Sequence, residues 1–160
     1  MDKVITTALL IIASVAAAIA LINAVIPAMS ESTSALVAAN SSAADRIRTD
    51  IEVVHVASDT SPGGEDQIII WVKNVGPNRI LPIESSDIFL NMPSTVKQLS
   101  HGSSSGTEYW DYTIENGTEW TRGVTIKMTA HLANGSVTSG TYSVSVSLYN
   151  AVTAIKDFSL

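Results

Sequence analysis

The residues able to do chemistry are few and dispersed. The three histidines are His55, His101 and His131. They lie in separate segments, and none stands at a metal-ligand spacing such as His-x-x-x-His. His55 and His131 have apolar neighbours and read as strand residues, while His101 falls in a Ser/Gly stretch and reads as exposed. The chain has no cysteine, so disulfides, thiolate ligands and a Cys nucleophile are all excluded. It carries no Gly-x-Ser-x-Gly elbow, phosphate loop or dinucleotide fingerprint. The carboxylates are scattered. Asp59, Glu65 and Asp66 flank a Gly-Gly turn, where a weak calcium site would form if folding gathered distant acids; a solvated turn is the simpler reading. Trp110 and Trp120 bracket Asn116-Gly117 and would either stack on sugar or, more simply, fill a core. The expectation is a chain that is not an enzyme, with no catalytic residue, no cofactor and no metal ligand. A net charge of −6 with a pI near 4.8 offers no basic patch for DNA or RNA.

Three Asn-x-Ser/Thr sequons mark Asn40, Asn116 and Asn134 as acceptors for N-linked glycan. Asn116 and Asn134 are each followed by Gly and sit between alternating runs, the signal of a hairpin with a type I′ turn. That turn alone accounts for both Asn-Gly pairs, with or without glycan.

Two elements of different character must position these residues. Val4 to Ser30 is uncharged and strongly apolar. As a helix, Val4 to Ile26 would be about 35 Å long, against a bilayer core of about 30 Å. A cleaved signal peptide has a shorter apolar stretch and a basic start; here Asp2 and Lys3 cancel. Two fates remain: a membrane anchor, or a helix buried among identical helices. The alanines at 8, 13, 16, 17, 18, 20 and 24 favour close helix packing. Thr7, Ala13, Ser14, Ala17, Ala20 and Asn23 are the candidate packing residues, with Asn23 as an interhelical donor and acceptor. The alternative is that Thr and Ser bond their own preceding carbonyls and Asn23 lies at headgroup level. Pro27 bends such a helix without ending it. A sparser helical pattern continues towards Asp45 or Arg48, where the Ser-rich composition also suits a flexible linker.

From Asp50 the period becomes two. Ile51–Ala57, Gln67–Gly76, RILPI, DIFLN, STVKQLS, EYWDYTIE, RGVTIKMTAHL, TYSVSVSLYN and AIKDFSL read as strands. They are separated by Pro62-Gly63-Gly64, Gly76-Pro77-Asn78, a Gly/Ser loop at His101–Gly106 and the two Asn-Gly turns. The core is expected from Val54, Val56, Ile68, Ile70, Val72, Val124, Ile126, Met128, Val144, Val146 and Leu148. The fold class is α+β: a long N-terminal hydrophobic α-helix followed by an antiparallel immunoglobulin-like β-sandwich. The expected division is residues 1–48 for the helix and neck and 49–160 for the sandwich.

DRIRTDIEVVHV, IIIWVKNVGPNRILPIESSDIFL and EYWDYTIENGTEW, following an Ala-rich apolar helix, resemble archaellins and related type IV pilin-like proteins, including the minor archaellum relatives of the G and F kinds. The resemblance covers nearly the whole chain. Members carry a short basic leader, ending in Gly, that is cut before the apolar helix. Only Lys3 is basic here, so Met1 is either the processed residue or the start of an unprocessed relative. Ile5 stands where bacterial type IV pilins have glutamate, which favours archaellins. The resemblance implies a subunit of an archaellum-type helical filament for motility, packed through N-terminal helices. Its partners would be copies of itself and the membrane assembly machinery. It would pass through the cytoplasmic membrane into an extracellular filament. The alternative is a membrane-anchored minor or stator protein that grips the cell envelope; a third reading is a simple anchored adhesin.

Overall fold

A computed structural model describes residues 2–60, 64–102 and 108–160. Met1, Pro62 and Gly63 of the expected turn, and residues 103–106 of the expected loop lie outside the described residues. The chain divides into two compact units, Met1–Ala43 and Ala44–Leu160.

Helix α1 runs Asp2–Arg48 without a break, so the segment after Pro27 is helix and not linker. At 47 residues it is about 70 Å long. It contains no glycine, and Asp2 in its first turn and Arg46 and Arg48 in its last complement the helix dipole. Pro27 removes one backbone donor from the interior, yet helical structure continues through it.

The second unit is β-rich. Its strands are β1 (Ile51–Thr60), β2 (Asp66–Asn74), β3 (Asp87–Asn91), β4 (Val96–His101), β5 (Tyr109–Ile114), β6 (Thr125–Leu132), β7 (Thr141–Ser147) and β8 (Thr153–Ser159). They hydrogen-bond in the order β1-β2-β6-β5-β4-β3-β7-β8. All pairs are antiparallel except β4–β5, which is parallel over Ser100↔Tyr109 and His101↔Trp110. The first and last strands of this order return into contact, so the sheet wraps one core as a sandwich. This is the α+β class with an immunoglobulin-like β-domain.

Alternation decides the core. In β2, Ile68, Ile70 and Val72 are fully buried; in β6 the same holds for Ile126, Met128, Ala130 and Leu132. On β7, Val144 and Val146 point inward while Ser143, Ser145 and Ser147 lie on the other face. Trp110 and Trp120 are both completely buried, which makes them core and not a sugar platform.

Three expectations need correction. Val54 is exposed, and Ile51 and Val53 are buried in its place. The ladder between β1 and β2 shifts register between Val53 and His55, and this bulge turns the strand's faces over. RILPI is not a strand: Ile80 and Ile83 are buried, but Pro82 lacks a ladder donor and the segment ends in a 3-10 turn at Ile83–Ser85. The Asn-Gly pairs do not form type I′ turns. Neither Asn116 nor Asn134 has positive φ, which that turn needs at both central residues. Gly135, at φ 77°, is the third residue of a turn closed by the Ser136 N–H donating to the Ala133 carbonyl. The β5–β6 connection instead turns at Arg122-Gly123, with Val124 N–H donating to Thr121 and Gly123 at φ 85°.

Candidate functional site

Each unit carries one feature beyond ordinary folding. In the first, no residue of α1 is buried. Twelve large apolar side chains between Val4 and Ile26 are exposed. Each would gain about 1.5–3 kcal/mol on leaving water. Together that is on the order of 20–35 kcal/mol, more than the roughly 5–15 kcal/mol that holds a domain folded. Such a surface demands a covering. Length and composition suffice for α1 to cross a membrane.

The candidate packing residues lie on this surface. The Thr7 hydroxyl donates to the Lys3 carbonyl and the Ser14 hydroxyl to the Ile11 carbonyl, each at 2.8 Å. Both hydroxyls are therefore satisfied within their own helix. Ala13, Ala17, Ala20 and Asn23 are exposed. Asn40 is exposed on the same helix. Asn134 is exposed in its turn, and Asn116 is exposed with its Oδ1 accepting the Thr125 N–H at 2.7 Å, so this side chain starts β6.

In the second unit the last helical turn is locked into the β-domain. The Asp45 carboxylate is the hub. Its Oδ1 accepts from Asn78 Nδ2 at 2.9 Å, and its Oδ2 accepts from Asn150 Nδ2 and the Tyr149 hydroxyl, each at 3.0 Å. Asn150 also donates to Thr49 Oγ1, which in turn donates to the Asp45 carbonyl at 2.7 Å. The Asn150 amide foremost, with Tyr149 and Asn78, holds the Asp45 carboxyl below the ordinary carboxylate value. Burial and the bond to Asp45 push the Tyr149 phenol up.

The Lys73–Asn78 segment makes the other half of this seat. Val75 and Gly76 N–H both donate to the Asp50 carbonyl, and Asn78 N–H donates to the Arg48 carbonyl. Gly76 presses so closely that a Cβ would stand 2.5 Å from Asp50 N and 2.8 Å from the Arg48 oxygen. Asn74, fully buried, donates through Nδ2 to the carbonyls of Asn78 and Trp120 and so holds the loop's shape. Asp45, Tyr149 and Asn150 escaped the sequence reading because 104 and 105 residues separate the partners. The available signal was an acid in the last helical turn together with the amide-rich Asn74 and Asn78.

The histidines serve the sheet. His55 lies 5.4 Å from the Trp71 ring. His101 is not in an open loop: it ends β4, half-buried, 4.8 Å from the Trp110 ring. His131 stacks on Tyr109 at 4.3 Å, with Nδ1 3.2 Å from Glu65 and Nε2 3.4 Å from Asp111. Asp66 is buried and accepts the Val137 N–H at 2.9 Å, so it is a structural acceptor and not a solvated turn acid. Among the described residues no three His, Cys, Asp or Glu side chains are arranged to hold a metal ion. The Tyr112 hydroxyl donates to Glu84 at 2.6 Å; this bond pushes the phenol up to about 12 and holds the Glu84 carboxyl down.

No family model matches the sequence. Among solved structures, the archaellum periplasmic stator protein FlaG from Sulfolobus acidocaldarius superposes with a TM-score of 0.55 at 14% identity, over 69% of this chain and 99% of that one. A chain of the FlaF and FlaG stator complex from the same organism gives 0.55 at 16% identity, over 69% and 89%. At these identities the likeness is one of fold. An uncharacterized protein of Archaeoglobus fulgidus is 31% identical over 163 residues, 98% of either chain. Aligned at that identity along almost its whole length, the chain belongs to the family of that Archaeoglobus protein, and it shares the fold of the archaellum stator protein FlaG.

Proposed function

We propose that the protein is a membrane-anchored component of an archaellum-type machine, of the stator kind, with its β-domain in the cell envelope. One observation carries the reading: a helix with an uncharged apolar stretch from Val4 to Ser30, wholly exposed, leads into a chain with the FlaG fold. A stator needs an anchor that stays in lipid and a folded domain that holds a fixed partner. The first need fits the covering that α1 demands. The second fits a small rigid sandwich whose junction with the last helical turn is tied by Asp45 and Gly76. The FlaF and FlaG complex supports a further archaellum component as partner, in place of a filament of identical subunits.

The filament-subunit reading keeps one observation in its favour, the run of small residues at Ala13, Ala17 and Ala20. The two readings separate by location. Cells are sheared, and the protein is sought in membranes and in extracellular filaments. Retention in the membrane fraction, with loss of swimming but intact filaments on gene deletion, is the expected result. Recovery as the main component of sheared filaments overturns the stator reading.

A further inference from the structure

We infer that α1 pairs in parallel with α1 of a second copy of this chain, through a heptad seam that runs through both its apolar part and its polar neck. One set of positions seven apart is Ile5, Ile12, Ile19, Ile26, Thr33 and Asn40. Three residues after each stand Ala8, Val15, Ile22, Met29, Leu36 and Ala43. These are the a and d positions of an unbroken heptad repeat, and every large apolar side chain among them is exposed.

In the apolar part the arrangement is not a by-product of greasiness. Of six isoleucines between Val4 and Ile26, five are on the seam, whereas of seven alanines only one is. Lipid contact has no reason to sort Ile from Ala by position; a facing helix does. In the neck the large apolar residues lie on or beside the seam, Val37 next to it at the e position, while Thr33 and Asn40 hold the a positions. Met29 and Leu36 hold d positions, while the outward positions are Glu31, Ser34, Ala35, Ala38, Ser41 and Ser42. Pro27 also falls at an outward position.

The occupant follows from three features. A strict seven-residue repeat tracks a straight helix poorly, drifting by about 20° per heptad, and stays in register only against a partner wound with it. A parallel second copy has the same repeat in the same phase. Asn40 holds an a position, where one asparagine pairs with its counterpart across a parallel two-stranded seam and fixes register and partner number. Charge does not oppose the pairing: Glu31 is the one ionisable residue from Val4 to Ala44, and it points away from the seam. A contact from Ile5 to Ala43, about 57 Å long and about 10 Å wide, covers roughly 570 Å² per partner, close to the lower end, about 600 Å² per partner, of specific stable interfaces. The seam is a different face from Ala13, Ala17 and Ala20, and it does not depend on the stator reading. A glycan on Asn40 would exclude the pair.

The absence of native cysteine makes the test direct. Single substitutions Thr33→Cys, Leu36→Cys, Asn40→Cys and Ala43→Cys are compared with Ser34→Cys, Ala38→Cys and Ser41→Cys in the full chain in liposomes, under mild oxidation. A same-site disulfide needs Cα atoms within about 7 Å, which a parallel pair with axes about 8–10 Å apart reaches only along the seam. Expected are dimers at 33, 36, 40 and 43, several-fold above those at 34, 38 and 41. A flat profile, a maximum at 34, 38 and 41, or an uncross-linkable monomer overturns the inference. Asn40→Leu, without an added cysteine and sized in detergent by light scattering, is expected to add higher oligomers to the dimer; an unchanged single dimer removes Asn40 from its register role.

Discussion

Gly76→Ala tests whether the seat of the last helical turn is as tight as its geometry states, because the sign of the effect is at issue. Gly76 does not have positive φ, so alanine suits its backbone. Where space allows, such a change stabilises by about 0.4–1 kcal/mol through the unfolded state. Here the new Cβ would meet Asp50 N at 2.5 Å, the Arg48 oxygen at 2.8 Å and the Thr49 carbonyl carbon at 3.1 Å. All three are backbone atoms, so no rotamer relieves the clash. The chain must separate, and three hydrogen bonds cross that gap: Val75 and Gly76 to Asp50, and Asn78 to Arg48. Losing two of them at about 0.5–1.5 kcal/mol each costs about 1–3 kcal/mol, the usual range for overpacking. Clash outweighs entropy, and the net expectation is about 1.3 kcal/mol of destabilisation. Thermal unfolding of the full chain in detergent, followed through the β-sheet signal, is expected to show a midpoint lower by about 5 °C. A midpoint equal to or above that of the parent chain refutes the close approach of the two segments.

Three further outcomes follow from other contacts. Asp45 has its carboxyl pKa held down by Asn150, so its stabilisation is complete above the ordinary value of about 3.9 and is lost as pH falls through the lower folded value; in acid melts the gap between the parent chain and Asp45→Ala closes over that window. Tyr112, pushed up to about 12 by Glu84, loses its contribution as pH rises from about 10 to about 12, and ultraviolet titration of Glu84→Gln is expected to show one phenol moving back towards its ordinary value. Trp110→Ala empties a fully buried site and is expected to cost about 3–5 kcal/mol in urea unfolding, whereas the exposed Val54→Ala changes stability by less than about 0.5 kcal/mol.

The sequence by itself determined what depends on local composition and period. The apolar stretch from Val4 to Ser30 dictates a helix that needs covering, because no arrangement of its own side chains hides it. Period-two alternation in β2, β6 and β7 selects the core, since successive residues of a strand face opposite ways. Tertiary structure decided whatever rests on contacts distant in sequence or on a single backbone irregularity. Val54 lost its core place to Val53 through one bulge, which no alternation pattern records. RILPI reads as a strand by composition, but its neighbours leave it a bridge to a 3-10 turn. Asp66 and Asp45 look alike as surface acids. One becomes a buried acceptor for Val137 and the other the hub for Asn78, Tyr149 and Asn150, because folding brings donors from 33 to 105 residues away. A carboxylate's role is set by the donors that reach it, and those are fixed only when the strands close around the core.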